Sequence, residues 1–312
     1  MLRINKTVNG KLERFTDIES NCWINLIDPT EEELAQVLEA LPEIEPDFLR
    51  AALDEEETSH VDVEEGQTLI IIDIPMEEDW ENPNALDNSY FTLPMGILVT
   101  EENIITVCLK DTQILRDFEE GKIKNAKTSR RTNFIFQILL RMSARYLYCL
   151  KQIDKLSTAM QMRLYRSQRN RELIRLLDLE KSLVYFNTSL KADEVTLEKL
   201  LRGRVITLYE EDQDLLEDVL IEIRQAIEMA NIYSSILSGM MDAYASVISN
   251  NLNVIMKVLT SITILLTVPT IIFSYYGMNV RGLPIPTAWF PIVLALVIIA
   301  IVAVLLKKKD LF

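Results

Sequence analysis

The stretch VLTSITILLTVPTIIFSYYGMN, residues 258–279, decides the fold. Residues 258–276 carry no charge, and after the corner Gly277, Met278, Asn279 a second uncharged apolar run fills 289–306. A bilayer core takes about 20 helical residues at about 1.5 Å each, so both runs suit a tilted membrane span. Lys257 and Arg281 are the charged residues between Val254 and Leu306, and both stand at the margins, where a long basic side chain reaches the headgroups. A core helix of a soluble protein is the alternative, but at this length such a helix usually keeps a charged stripe. Lys307, Lys308 and Lys309 follow the second run, so the positive-inside rule predicts a cytoplasmic C-terminus, and two spans return the N-terminus to that side. Residues 1–10 lack the apolar core of a signal peptide, which predicts a cytosolic segment before Val254 in a multi-pass protein of the plasma membrane.

The 312 residues carry a formal net charge of −15, which argues against nucleic acid as a partner and for cations, although most of these carboxylates make an ordinary solvated surface. Cys22, Cys108 and Cys149 are widely spaced and read as packing residues. His60 is the single histidine, and no nucleophile and base can be assembled around it, so the chain is not read as an enzyme. It has no phosphate-binding Walker loop, which argues against an ATP-driven pump.

Upstream, the first 120 or so residues predict an α/β domain. Residues 69–74, 95–99 and 104–109 are β-branched runs bounded by Gly66, Pro75, Pro94 and the turn at 101–103. Residues 30–41 and 47–53 show helical spacing, the first with Thr30 and Glu33 placed for a capping box. Residues 128–202 contain no proline or glycine and predict two long helices with a break near 167–170. After Gly203 a third helix runs from about Leu208 into the first span, some 65 residues and about 100 Å. The predicted organisation is an α/β domain over 1–122, an antiparallel helical pair over 123–206, a stalk helix and first span over 207–276, a loop over 277–288, a second span over 289–306 and a basic tail over 307–312.

The long helix carries two stripes. Leu216, Val219, Ile223, Ala226, Ala230, Tyr233, Leu237, Met240, Tyr244, Val247, Asn251 and Val254 alternate at three and four residues, the spacing of a coiled-coil seam. Ser235, Gly239, Asp242, Ser246, Ser249, Asn253, Met256, Thr260, Thr263, Thr267, Thr270 and Ser274 repeat the spacing two residues out of phase, and nearly all are small or polar. Threonines in membrane helices often bond their own backbone or neighbouring helices. Five hydroxyls in register above Asn253 and Asp242 favour instead a water-facing pore wall built by several copies of the helix.

Tyr276, Gly277, Met278 and Asn279, with the run Met256, Lys257, Val258, Leu259, Thr260 and the basic tail, resemble the CorA family of divalent metal ion (Mg²⁺/Co²⁺) transporters. The resemblance is close from about Asp218 onward and rests on layout before it. It implies an α+β membrane protein, a funnel-shaped homopentamer with the first span around the pore. It assigns Gly277, Met278 and Asn279 to the outer mouth, where five carboxamides meet a hydrated ion; Gly277 alone equally fits a helix C-cap. Mg²⁺ gives up its octahedral water shell reluctantly, so amide oxygens bonded to its waters suit it. Met256 and Leu259 fall where the family has a hydrophobic constriction, with Asn253 and Asp242 as polar rings below; for Met256 core packing is the other reading.

The resemblance also implies regulation by Mg²⁺ held between cytosolic domains of neighbouring subunits. Asp218 stands at the stalk carboxylate of that sensor, and its partner is expected among Glu77, Glu78 and Asp79, with Glu78 preferred. Acidic triplets at 31–33 and 55–57 show that such a run is also plain surface. Two departures stand out: residues 280–288 hold no carboxylate but Arg281, and Ser274 replaces a common glycine.

The expected function is passive Mg²⁺ uptake, with Co²⁺ or Ni²⁺ as possible passengers, driven by about 4.6 kcal/mol for a dication at 100 mV, twice the roughly 2.3 kcal/mol of one charge. The zinc-transporting branch of the family is the rival, weakened by the scarcity of His and Cys. A non-conducting, membrane-anchored coiled-coil scaffold is the rival of another class.

Overall fold

A computed structural model describes residues 1–64, 66–78, 89–167, 170–202, 206, 209–279, 284–285 and 287–309, and the side chains of all of these except 78, 165–167 and 170. Gly203, residues 168–169 of the break expected near 167–170, and the tail residues 310–312 lie outside the described residues. The chain divides into two compact units, Met1–Ser238 and Gly239–Phe312.

The first unit is built on a seven-stranded sheet. Its strands are β1 (Leu2–Val8), β2 (Lys11–Phe15), β3 (Cys22–Ile27), β4 (His60–Glu64), β5 (Gln67–Glu78), β6 (Ser89–Val99) and β7 (Ile104–Cys108), in the spatial order β2-β1-β3-β7-β6-β5-β4. Among the described strands β3 and β7 run parallel, Trp23 opposite Ile104, and the other neighbours are antiparallel. A parallel pair needs a long crossover, and residues 28–103 supply it, with β4, β5 and β6 inside.

The helices α1 (Glu31–Ala40) and α2 (Pro46–Ala51) cover one face of the sheet. Thr30 and Glu33 form the expected capping box, each side chain bonding the other's backbone N–H. Leu34, Val37, Phe48 and Leu49 pack there on Ile24, Leu26, Ile105 and Val107. Alternation sends Trp23 to the other face, where it meets Phe118 of α3 (Gln113–Glu119) and Phe134 of α4 (Arg131–Ser167). The helix α5 (Asn170–Leu201) returns antiparallel to α4 and packs on β4, β5 and β6.

The strands run through two prolines expected to bound them. Pro94 lies opposite Asp73 and Pro75 opposite Thr92 inside the β5–β6 pairing. The reason lies in the neighbouring strands. Pairing of β4 with β5 ends at Ile71, and β7 ends at Cys108, opposite Met95. Asp73 N–H points to the β4 side, so Pro75, two residues on, directs its missing donor to the same vacant side. Pro94, facing away from Asp73, directs its own past the end of β7.

The helix α6 (Glu210–Tyr276) runs 67 residues without a break, through Pro269, and α7 (Phe290–Lys308) follows. Within the first unit its seam residues Leu216, Val219, Ile223, Ala226, Ala230 and Leu237 are buried. Polar bonds tie the helix to both partners there, from Ser143 of α4 to Glu222 at 2.8 Å and from Asn187 of α5 to Asn231 at 2.9 Å. This part of the expected coiled-coil seam is thus filled within the chain.

Candidate functional site

In the second unit, exposure along α6 follows a helical period. Ser261, Leu265, Val268, Pro269, Ile272 and Tyr276 are buried or half-buried, whereas Thr260, Thr263, Thr267, Thr270 and Ser274 are exposed. On α7 the covered positions include Pro291, Ala295, Ile298, Val302 and Leu306, again at helical spacing. Tyr276 meets Phe290 at 6.0 Å between ring centroids, and its hydroxyl donates to Pro284 O at 3.1 Å. The hydroxyl stripe therefore lies on the face of α6 that the unit leaves uncovered, and Asp242, Asn253, Met256 and Leu259 are exposed below it.

The hydroxyls are not idle. Thr263 donates to Leu259 O at 2.8 Å, Thr267 to Thr263 O at 2.7 Å and Thr270 to Leu266 O at 2.9 Å. Each thus spends its one donor on the helix and leaves oxygen lone pairs outward, turning the stripe into a row of acceptors. The back-bonding expected of threonines in such a helix is thus present, and the exposed hydroxyl oxygens still make a polar surface.

Gly277 N–H bonds Phe273 O at 2.8 Å, continuing the helical pattern, and Met278 N–H reaches Tyr275 O at 3.4 Å. The glycine follows the last residue of α6, at its C-cap, but is not in the left-handed region. A Cβ there would sit 3.1 Å from Phe273 O, and the missing side chain lets the last turn close. Met278 and Asn279 beyond it are exposed. Arg281 lies outside the described residues, as do residues 280, 282, 283 and 286 of the loop.

In the first unit Asp218 is exposed on α6, between buried Leu216 and Val219. Glu77 is not an open carboxylate: one oxygen pairs with Arg145 at 3.0 Å, and the other accepts from the Tyr90 hydroxyl at 3.4 Å. Arg145 in turn stacks over Tyr148 at 4.8 Å. Burial, with the Glu77 charge beside it, pushes the Tyr90 phenol up, so it stays a donor. The Glu78 side chain and the whole of Asp79 lie outside the described residues. Among the described residues no group of three or more metal-ligating side chains comes together. Arg145 gave no signal in the sequence, since its bond to Glu77 spans 68 residues.

Cys22, Cys108 and Cys149 are buried and free, as packing residues should be. Burial pushes the Cys108 and Cys149 thiols up to about 12, which leaves them unreactive. Among the described residues α6 and α7 are the two helices long and apolar enough to cross a membrane.

The family model described as "CorA-like Mg2+ transporter protein" matches residues 19–308. The cobalt/magnesium transport protein CorA of Methanocaldococcus jannaschii is 26% identical over 300 residues, 92% of this chain and 90% of that one. The protein of the same description from Thermotoga maritima is 24% identical over 302 residues, 95% of this chain and 84% of that one. The complete structure of the CorA magnesium transporter from Methanocaldococcus jannaschii superposes with a TM-score of 0.84 at 24% identity, covering 99% of this chain and 98% of that one.

Proposed function

Because the chain belongs to the CorA-like Mg²⁺ transporter family, we propose that it is a homopentameric channel that admits hydrated Mg²⁺ through a pore lined by the exposed stripe of α6. The observation that carries this reading is the uncovered row Thr260, Thr263, Thr267, Thr270 and Ser274, three of whose hydroxyls have spent their donor on the helix. Water bound to a dication turns its oxygen inward and its hydrogens outward, so a wall of acceptors receives the shell without stripping it. In the pentamer, Gly277, Met278 and Asn279 form the entrance, and the Asn279 carboxamides meet the shell first. Met256 and Leu259 form a dewetting constriction, with Asn253 and Asp242 as the polar rings below it. The membrane potential drives the passage; α6 and α7 cross the plasma membrane with both chain ends in the cytoplasm.

Closure follows when cytosolic Mg²⁺ occupies a site between neighbouring first units. The Asp218 carboxylate, exposed on α6, is suited to hold it. Glu77 is committed to Arg145 and Tyr90, so the opposing carboxylate is assigned to Glu78 or Asp79. Facing carboxylates repel when empty and are bridged when occupied, so metal shifts the population to the closed assembly. Co²⁺ and Ni²⁺ share the coordination number and pass as alternative cargo.

The test is ion entry into liposomes containing the purified chain, with Mg²⁺ and then Zn²⁺ outside. Mg²⁺ entry that rises with an inside-negative potential and falls in N279A is the expected result. Zn²⁺ entry alone would move the chain to the zinc-transporting branch, and silence with both ions would leave a scaffold.

A further inference from the structure

Tyr276 is the last residue of α6, and two of its contacts reach the far side of the loop that follows. Its hydroxyl donates to Pro284 O at 3.1 Å, and its ring lies 6.0 Å from the ring of Phe290, the first residue of α7. All three residues belong to the second compact unit. The accepting carbonyl is eight residues on, so a single side-chain bond closes a ring of chain that contains Gly277, Met278 and Asn279. Gly277 and Met278 are tied to the helix by their own N–H groups, at 2.8 and 3.4 Å. Met278 and Asn279 are exposed, so burial does not hold them in place.

The far side of this ring carries backbone strain. Ile285, next to the accepting carbonyl, has φ +48°, in the left-handed region that is costly for a β-branched residue. The N–H of Thr287 turns back to Ile285 O at 2.8 Å, and the turn leads into α7. A backbone of this kind persists where its surroundings fix it. The Tyr276 bond ends on the residue before Ile285, and the Phe290 ring meets Tyr276 just after the turn.

We propose that Tyr276 is a positioning residue for the ion entrance, its hydroxyl holding the outer loop closed through Pro284 O so that the Asn279 carboxamide stands ready for the hydration shell of a dication. The proposal rests on the reading of Asn279 as the mouth of the pore and adds a residue that touches neither the ion nor its water. A carboxamide on an open loop has to be ordered each time an ion arrives, and that cost weakens binding. In a closed ring most of the ordering is already done. Ring contact accepts a range of geometries, whereas a hydrogen bond to a carbonyl sets both distance and angle, so the hydroxyl is the part of the side chain that fixes the loop.

The test is Mg²⁺ entry into liposomes as a function of external Mg²⁺, for the parent chain, Y276F and F290L. Y276F keeps the ring and loses the donor, so its half-saturating concentration should rise about three- to tenfold, the weight of one hydrogen bond, with maximal entry within about twofold of the parent's. F290L keeps the bond and should keep the parent's half-saturating concentration. A tyrosine that serves only the packing of the unit would lower maximal entry and leave half-saturation where it was. That result in Y276F overturns the proposal, as does an equal rise in F290L. If Y276F does not assemble, a backbone ester in place of the 284–285 amide decides, because it weakens the Pro284 carbonyl as an acceptor and keeps every side chain; half-saturation equal to the parent's again overturns the proposal. A parent that admits no Mg²⁺ sinks the channel reading and the entrance role with it, whereas a conducting parent with indifferent variants sinks the role of Tyr276 and leaves the channel standing.

Discussion

The backbone N–H of Asp73 on β5 donates to Oδ1 of Asp193 on α5 at 2.9 Å, and the Tyr146 hydroxyl of α4 donates to Asp73 O at 3.0 Å. Both groups lie where β4 has ended, so the two helices supply the bonds that the missing strand would have made. Asp193 is fully buried, and its second oxygen has no hydrogen-bond partner among the described residues. Burial, with the Asp73 carboxylate nearby, holds its proton well above the usual carboxylate range; Asp73 is raised by burial too. The other groups around them are the hydroxyls of Ser59, Ser189 and Tyr146.

An acid whose pKa is raised by folding is favoured in its neutral form. Its contribution to stability is complete below its unfolded value, near 4, and is lost as pH rises through the folded value. D193N keeps the acceptor for Asp73 N–H and cannot ionise. Its melting temperature relative to the parent should therefore rise with pH over the interval where Asp193 ionises, by several degrees at about 2–4 °C per kcal/mol. A difference that is flat with pH would show that folding does not raise the Asp193 pKa.

Glu77 and Asp218 should separate into a structural and a sensing role. E77Q leaves the Arg145 guanidinium, 26% exposed, without its charge partner and should cost about 1–3 kcal/mol of stability. Protection of the chain from limited proteolysis by Mg²⁺ should survive E77Q and be lost in D218N, whose melting temperature should stay near the parent's. Loss of protection in E77Q at temperatures where it is folded would return Glu77 to the metal site.

Gly96 lies opposite Ile71 in the β5–β6 pairing, and a Cβ on it would come within 2.5 Å of Ala52 Cβ, at the end of α2. Ala52 is fully buried, so neither backbone has room to yield. G96A should destabilise the first unit by about 1–3 kcal/mol, and A52G in the same chain should restore part of it. Denaturant midpoints of the single and double variants decide this; additive losses would mean that the two sites do not touch.

How much could be read in advance differs along the chain, for physical reasons. The capping box at Thr30 is a local motif, and α6 advertises itself through a period kept over many turns, so both were open to sequence reasoning. Pro75 and Pro94 misled because a proline stops a strand only where a neighbour needs its N–H, and the neighbours are set by the register of other strands. The β1–β2 hairpin had a usable sign in Asn9-Gly10, both at positive φ. The exposed hydroxyl stripe was legible because helical period alone selects a face. The commitment of Glu77 to Arg145 was not, since a contact between distant residues leaves no local pattern.

That stripe yields the sharpest test of the ion pathway. Thr267 lies on the uncovered face of α6 and Ile272 on the half-buried one, close to half a turn away. If five copies of α6 surround a water column, a charged thiol reagent should modify T267C in the membrane-embedded assembly and stop Mg²⁺ entry. I272C should not react, because lipid and packed side chains exclude the charge. The native cysteines do not confuse the measurement, since Cys22, Cys108 and Cys149 are buried and two of their thiols are held up to about 12. A substitution that merely loosened the helix would open both positions together, so the ratio of the two rates carries the result. Equal rates would place the threonines against lipid or against another helix, and the hydroxyls would then be only the backbone partners of Leu259, Thr263 and Leu266 that their short bonds already make them.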